Sequence, residues 1–349
     1  MDLIREWYTH YDEDLARVRR FWEGEGRCLV SVYSTAHAYR QCFDDSAILR
    51  AAPQHLREES RLPGLNLPAF FPDWGTISTA KYWGGEPRFD STGGNIFVDP
   101  VARTLDEALQ LEPLQPDHLD QDAYRAVSLY RQLCGDLGTD ALWLRSPDMQ
   151  GTLNTAGLVM DQEEMLVAMY TEPEKLHTFL GRVCDFLIGY AGYLRAATSN
   201  RLCGNIWPYT FFPSDLGVSF TEDLMPLLSA ELYKEFGIPY LRKMQAALGG
   251  LHIHCCGDWG RHAANLKESG LEIMAVEYHH PATTISELSP LAEQTVFIPY
   301  ILLDRQSQFS SVVDYYRWLL KNTPDSYRYW FACAEDTPET RSFAGLMGY

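Results

Sequence analysis

Lysine is scarce in this chain: only six of its 29 basic residues are Lys, set against 47 acidic residues and a formal net charge of −18. A basic stripe able to neutralise phosphates is lacking, which argues against nucleic acid as a partner. A polyanionic substrate is disfavoured too, unless local Arg residues reverse the field. Long apolar runs are also missing, since the longest, near Phe186 to Leu194, is too short to span a bilayer. The start, Met1-Asp2-Leu3-Ile4-Arg5-Glu6, interleaves charge with apolar residues and gives no secretory signal, so a cytoplasmic protein without membrane attachment is expected. The eight cysteines form no compact framework. In a reducing compartment they read as core residues, metal ligands or nucleophiles. Internal repeats, a P-loop and a glycine-rich dinucleotide loop after the first strand are absent as well.

What is present describes a globular enzyme-sized chain. Its 349 residues are 46% hydrophobic and 13% aromatic, enough to bury a large core without staples. Residues 5–25 have the period of an amphipathic helix. Short apolar or β-branched runs then mark strands at Leu29–Ser34, Leu65–Phe71, Ala141–Ser146, Asn205–Tyr209 (with Val218–Phe220 as a continuation), Leu251–Cys256, Ile273–Tyr278, Val296–Leu302 and Tyr329–Cys333. Helical stretches fall at 103–111, 119–135, 160–170, 173–198, 229–248, 259–269, 284–293 and 311–322, with Thr171 and Ser229 as caps. About eight alternating strands predict an α/β fold, a single (β/α)8 TIM barrel over 1–349 with a helical extension over 1–28. The irregular stretch 36–100 would decorate the barrel's mouth, and chemistry would sit at strand C-termini.

The sharpest local feature is Leu251-His252-Ile253-His254-Cys255-Cys256-Gly257-Asp258. Alternation puts His252, His254 and Cys256 on one face, with tips at i and i+2 roughly 6.6 Å apart along the strand. Imidazole with thiolate is a zinc-type ligand pair, and Gly257 would let the chain turn sharply out of the strand. Cys333 ends the last strand just before Thr337-Pro338-Glu339 and supplies the third ligand. His254, Cys256 and Cys333 would leave a fourth position open, the pattern of a catalytic zinc. The competing reading is that all three are core residues, since free Cys is among the most buried types. His252 and Cys255 read as packing or support. Glu277 alternates with Ile273 and Ala275, pointing into the mouth as a general acid/base or substrate anchor. Tyr278, His279 and His280 follow it, and Asp304-Arg305 follows the seventh strand. Aromatic residues near strand ends, among them Phe71, Trp207, Tyr209 and Tyr300, suit an apolar pocket.

The run His254-Cys255-Cys256-Gly257, with a distant Cys before Thr337-Pro338-Glu339, resembles the His-x-Cys…Cys zinc pattern of the uroporphyrinogen decarboxylase superfamily. More narrowly it is similar to that superfamily's corrinoid-linked methyltransferases, such as methylcobalamin:coenzyme M methyltransferases. Pro147-Asp148-Met149-Gln150-Gly151-Thr152-Leu153 and Phe220-Thr221-Glu222-Asp223-Leu224, with Leu228-Ser229 through Tyr233, Glu235-Phe236 and Pro239, look like further stretches of the pattern, which covers roughly 140–345. The resemblance implies a zinc-dependent methyltransferase moving a methyl group between a corrinoid and a small organic or thiol substrate. It adds Asp148 and Asp223 as candidate catalytic groups. No Asp-x-His-x-x-Gly element of a cobalamin domain occurs, so the corrinoid (cobalamin) would arrive on a partner protein. A homodimer is compatible with this reading. The alternative is a uroporphyrinogen decarboxylase-like lyase acting on a small organic acid or tetrapyrrole. It is weakened because the region Tyr33-Ser34-Thr35-Ala36-His37-Ala38-Tyr39-Arg40-Gln41-Cys42 has one Arg where the decarboxylases carry an Arg-rich clamp. The charge of −18 would suit a neutral or cationic substrate and a corrinoid carrier with basic patches.

Overall fold

The alternation of strand and helix appears in a computed structural model, which describes residues 2–33, 44–89, 96–204, 209–303 and 307–349. In chain order the strands are β1 (Cys28–Val32), β2 (Ala69–Phe70), β3 (Pro87–Phe89), β4 (Ile96–Val98), β5 (Trp143–Arg145), β6 (Leu202–Cys203), β7 (Gly217–Thr221), β8 (Gly250–Cys255), β9 (Ile273–His280), β10 (Val296–Ile301) and β11 (Arg328–Cys333). Six form one parallel sheet in the order β1-β11-β10-β9-β8-β7, and β2-β5-β6 form a second parallel sheet. β3 and β4 pair apart from both as an antiparallel hairpin.

The α/β class stands, but among the described residues the ladders do not close into the expected eight-stranded barrel. They are interrupted between β1 and β2 and between β6 and β7, where the isolated bridges Ser31–Gly64 and Cys203–Pro213 take their place. The physical reason lies in the backbone. β2 and β6 are two residues long, and Pro63, Pro68 and Pro213 beside these seams have no N–H to donate. Gly64, at φ +87°, lets the chain approach closely. A Cβ there would lie 2.6 Å from the Val30 carbonyl, to which the Leu65 amide donates at 2.7 Å.

Several helix boundaries differ from the sequence expectation. The N-terminal segment is two helices, Leu3–Trp7 and Tyr11–Trp22, and the second drives Trp22 into the core. Its indole stacks on Trp330 at 5.6 Å, meets Phe212 edge-on at 5.0 Å and donates to the Phe211 carbonyl at 2.9 Å. Thr171 is not a cap; it ends the helix Gln162–Thr171, and Glu172 precedes the helix Pro173–Ala197. The stretch 229–248 divides at Gly237 into Ala230–Phe236 and Ile238–Leu248, because Pro239 belongs in a first turn. Ser229 does cap the first of these, accepting from the Leu232 amide at 3.2 Å. The helix expected at 284–293 reduces to a 3-10 turn, Ser289–Leu291. Within 36–100, Asp45–Glu59 is a helix capped by Asp44, so that stretch is more regular than its composition suggests. His37, Arg40, Cys42, Trp207, Asp304 and Arg305 lie outside the described residues. No described helix is long and apolar enough to cross a membrane, and none of the seven described cysteines is in a disulfide.

Candidate metal and acid–base site

Parallel pairing of β7, β8 and β9 builds the site. The register sets Thr221 beside His254 and His254 beside Glu277, so three strand ends deliver side chains to one place. Glu277 is fully buried, and its carboxylate touches two imidazoles. Oε2 lies against His254 Nδ1, and Oε1 is 3.1 Å from His279 Nε2. These are ion-pair contacts rather than aligned hydrogen bonds. Burial alone would raise the Glu277 pKa, but His254 and His279 outweigh it and hold the carboxyl below its usual range. Burial likewise opposes a charge on His254, yet Glu277, Cys256 and Asp223 together hold the imidazole well above its ordinary value.

The opposite side of His254 faces Asp223, whose Oδ1 is 3.7 Å from Nε2 and accepts from the Cys256 amide at 2.9 Å. Ligand atoms of Asp223, His254 and Cys256 all lie within 4.8 Å of one another, as do those of His254, Glu277 and His279. Nitrogen, sulfur and carboxylate oxygen form a donor set that suits zinc. Cys256 is the exposed member of its cluster, beside half-buried Asp223. Cys333 belongs to neither cluster. It ends β11 buried, its carbonyl accepting from the Tyr33 amide at 2.9 Å, and it lines a cavity of about 340 Å³ that also reaches Tyr300. Burial pushes its thiol up to about 12.

The two spare residues of β8 behave as support. His252 is buried between Trp22 and Phe212, with its Nδ1 3.0 Å from Ser219 Oγ, and burial pushes its pKa down to about 3. Cys255 is fully buried on the opposite face. Gly257 is needed for room rather than for a left-handed turn, because a Cβ there would sit 2.5 Å from Cγ of Pro226.

Asp148 belongs to the same neighbourhood. Burial, then the nearby charge of Asp73, push its carboxyl up to about 7, against the opposing effects of Gln150 and His254. Gln150 Nε2 donates to Asp148 at 2.7 Å, Asn154 donates to Gln150 at 2.9 Å, and Asn154 accepts from the Leu224 amide at 2.9 Å. This relay ties Asp148 to the loop that carries Asp223. His279 also packs on Tyr300 at 4.7 Å, extending the site toward β10. His280 turns away and stacks on Tyr315 at 4.8 Å, while the Tyr278 hydroxyl meets that of Tyr315 at 3.1 Å.

Sequence reasoning passes over Asp73, Glu222 and Arg145. Glu222 is 2% exposed and burial raises it to about 8; Arg145 is 8% exposed at the end of β5. A charged residue closing or following an otherwise apolar strand is the signal that could have found them.

No family model matches the chain. A 132-residue segment is 29% identical to a methylated-thiol–coenzyme M methyltransferase of Methanosarcina mazei. The likeness is to a methyltransferase. That segment covers 38% of this chain and 32% of the relative, so the match spans about a third of the relative's length. A solved methyltransferase from Methanosarcina mazei aligns over 93% of both chains with a TM-score of 0.64 and 12% identity, which shows a shared fold. Both similarities are consistent with the uroporphyrinogen decarboxylase-like methyltransferases to which the motifs point.

Proposed function

We propose that this chain, 1–349 as one domain, is a methyltransferase that moves a methyl group between a corrinoid on a partner protein and a small organic or thiol substrate. The observation that carries the reading is the convergence of Asp223, His254 and Cys256 on one point, backed by a fully buried Glu277 against His254. The similarity to a methylated-thiol–coenzyme M methyltransferase supports the reaction class. The two parallel sheets, stitched by the Ser31–Gly64 and Gln150–Thr221 bridges, would together make the barrel.

Zinc would be held by His254 and Cys256, with Asp223 at the same point, and Cys333, which stands outside that cluster, would join as a ligand only on closure of the end of β11 toward it. When bound, it supplies a Lewis acid that favours a substrate thiolate at neutral pH. The chain's own groups do the rest. Glu277 fixes which His254 nitrogen is turned away from the ligand side, the support that metal-binding imidazoles require. Asp223 holds the Cys256 amide and so sets the direction of its thiol. Asp148, raised to about 7, is suited to give or take a proton near neutral pH.

Metal analysis tests this directly. Wild type should carry about one zinc per chain, and Cys256→Ser and Cys333→Ser should each lose most of it. Full zinc in both variants would refute the ligand set. Mixing the zinc-loaded protein with a methylated corrinoid protein and a thiol should shift the cobalt absorption bands. Unchanged bands with every donor and acceptor tried would refute the corrinoid step.

A further inference from the structure

A carboxylate sealed from solvent beside two imidazoles normally makes aligned hydrogen bonds to them. The Glu277 carboxylate does not. Its side chain is 0% exposed, and those of His254 and His279 are 12% and 14% exposed. Oε1 and Oε2 of Glu277, Nδ1 of His254 and Nε2 of His279 are all buried, and none has an aligned hydrogen bond. Yet the three residues bring their ligand atoms together, within 4.8 Å of one another. Buried polar atoms that converge without bonding one another have the arrangement of ligands about an ion.

The backbone explains the convergence. Glu277 and His279 stand two residues apart on β9 and share a face, and the register sets His254 of β8 beside Glu277. Tetrahedral ligands about 2.0–2.1 Å from a metal lie roughly 3.3 Å from one another. Glu277 Oε1 and His279 Nε2 already have that spacing, at 3.1 Å. Two imidazoles and one carboxylate suit zinc or a similar divalent transition ion, whereas magnesium and calcium take oxygen ligands. Three protein ligands leave a fourth position for a water or a substrate atom.

This point is not the one where Asp223 and Cys256 meet. His254 turns Nε2 toward Asp223 and Nδ1 toward Glu277, so the two clusters lie on different edges of one ring. We infer that His254 Nδ1, Glu277 and His279 Nε2 form a second site for a divalent transition-metal ion, bridged through the His254 ring to the site at Cys256. With an ion on each nitrogen the ring is an imidazolate, both of its protons having passed to solvent. The second site lacks sulfur and must displace the pairing of His254 with Glu277, so it fills after the first and more weakly. Until it fills, Glu277 keeps its supporting contact with His254. The inference goes beyond the methyl-transfer reading and borrows from it only the first ion.

Cobalt(II) added to the zinc-loaded full chain tests it by absorption spectroscopy and calorimetry. Wild type should bind one equivalent, with visible cobalt bands and no thiolate-to-cobalt charge transfer. His279→Gln should keep its zinc and weaken cobalt binding by more than the roughly tenfold that loss of a mere supporting residue costs. Should that variant fail to fold, proton NMR of the wild-type cobalt protein decides the same question, with paramagnetically shifted signals expected from two histidine rings. The inference is overturned if no cobalt binds, if bound cobalt shows a thiolate band, if folded His279→Gln binds it like wild type, or if fewer than two rings are shifted. A chain that holds no zinc at Cys256 yet binds cobalt through His279 would instead count against the reading of the preceding subsection alone.

Discussion

Glu277 and His254 occupy paired positions on adjacent parallel strands, carboxylate against imidazole, with the carboxylate entirely sealed from solvent. Neither charge is stable at that depth without the other. The pair therefore holds the end of β8 in one orientation before any ligand arrives.

Removing one member should be expensive. In chelator-treated protein, Glu277→Ala should lower the unfolding free energy by about 3–5 kcal/mol, the usual effect of stranding a buried charge. Glu277→Gln should cost less, since the amide keeps the shape and can still meet both imidazoles. Urea denaturation measures both, and an alanine variant as stable as wild type would show that the pair contributes nothing.

Acid sensitivity should come from two other histidines. Burial pushes His252 down to about 3 and His262 down to about 4, so both are neutral in the fold and would charge in the unfolded chain below about pH 6.5. A depressed folded pKa gives stability that is present above the unfolded value and lost as pH falls toward the folded one. The loss should run from about pH 6.5 to 4 for His262 and on to about 3 for His252, at up to about 1.4 kcal/mol per pH unit for each. His262→Phe should flatten that slope in denaturation curves taken at several pH values; an unchanged slope would contradict the assignment.

Space around Gly257 should be equally telling. Gly257→Ala sets a Cβ 2.5 Å from the Pro226 ring, which is rigid, so the loop after β8 must move. Overpacking of this kind costs about 1–3 kcal/mol. Zinc content should fall together with Tm, because Cys256 is the adjacent residue. An alanine variant with wild-type Tm and zinc would show that the loop adapts freely.

Much of this is legible in the amino-acid order, for local reasons. The alternation of Leu251-His252-Ile253-His254 is a period of two, and that period alone places His254 toward the site and Cys255 in the core. Helix Thr152–Val159 escapes the same reading for an equally local reason. It is buried on nearly every side, so no polar face gives it a period, and Thr152, Asn154 and Thr155 disguise it as a turn.

The sequence by itself determined the α/β class, most strand positions and the candidacy of His254, Cys256 and Glu277, because these follow from periods of two and 3.6 within short windows. Only the tertiary structure decided their company. Asp223 meets the Cys256 amide across 33 residues, Asp148 reaches the same loop through Gln150 and Asn154, and Arg145 is left with carbonyls and aromatic rings in place of a carboxylate. Such pairings depend on which strand ends neighbour one another and in what register. That is set by the packing of the whole core, and no short window of sequence contains it.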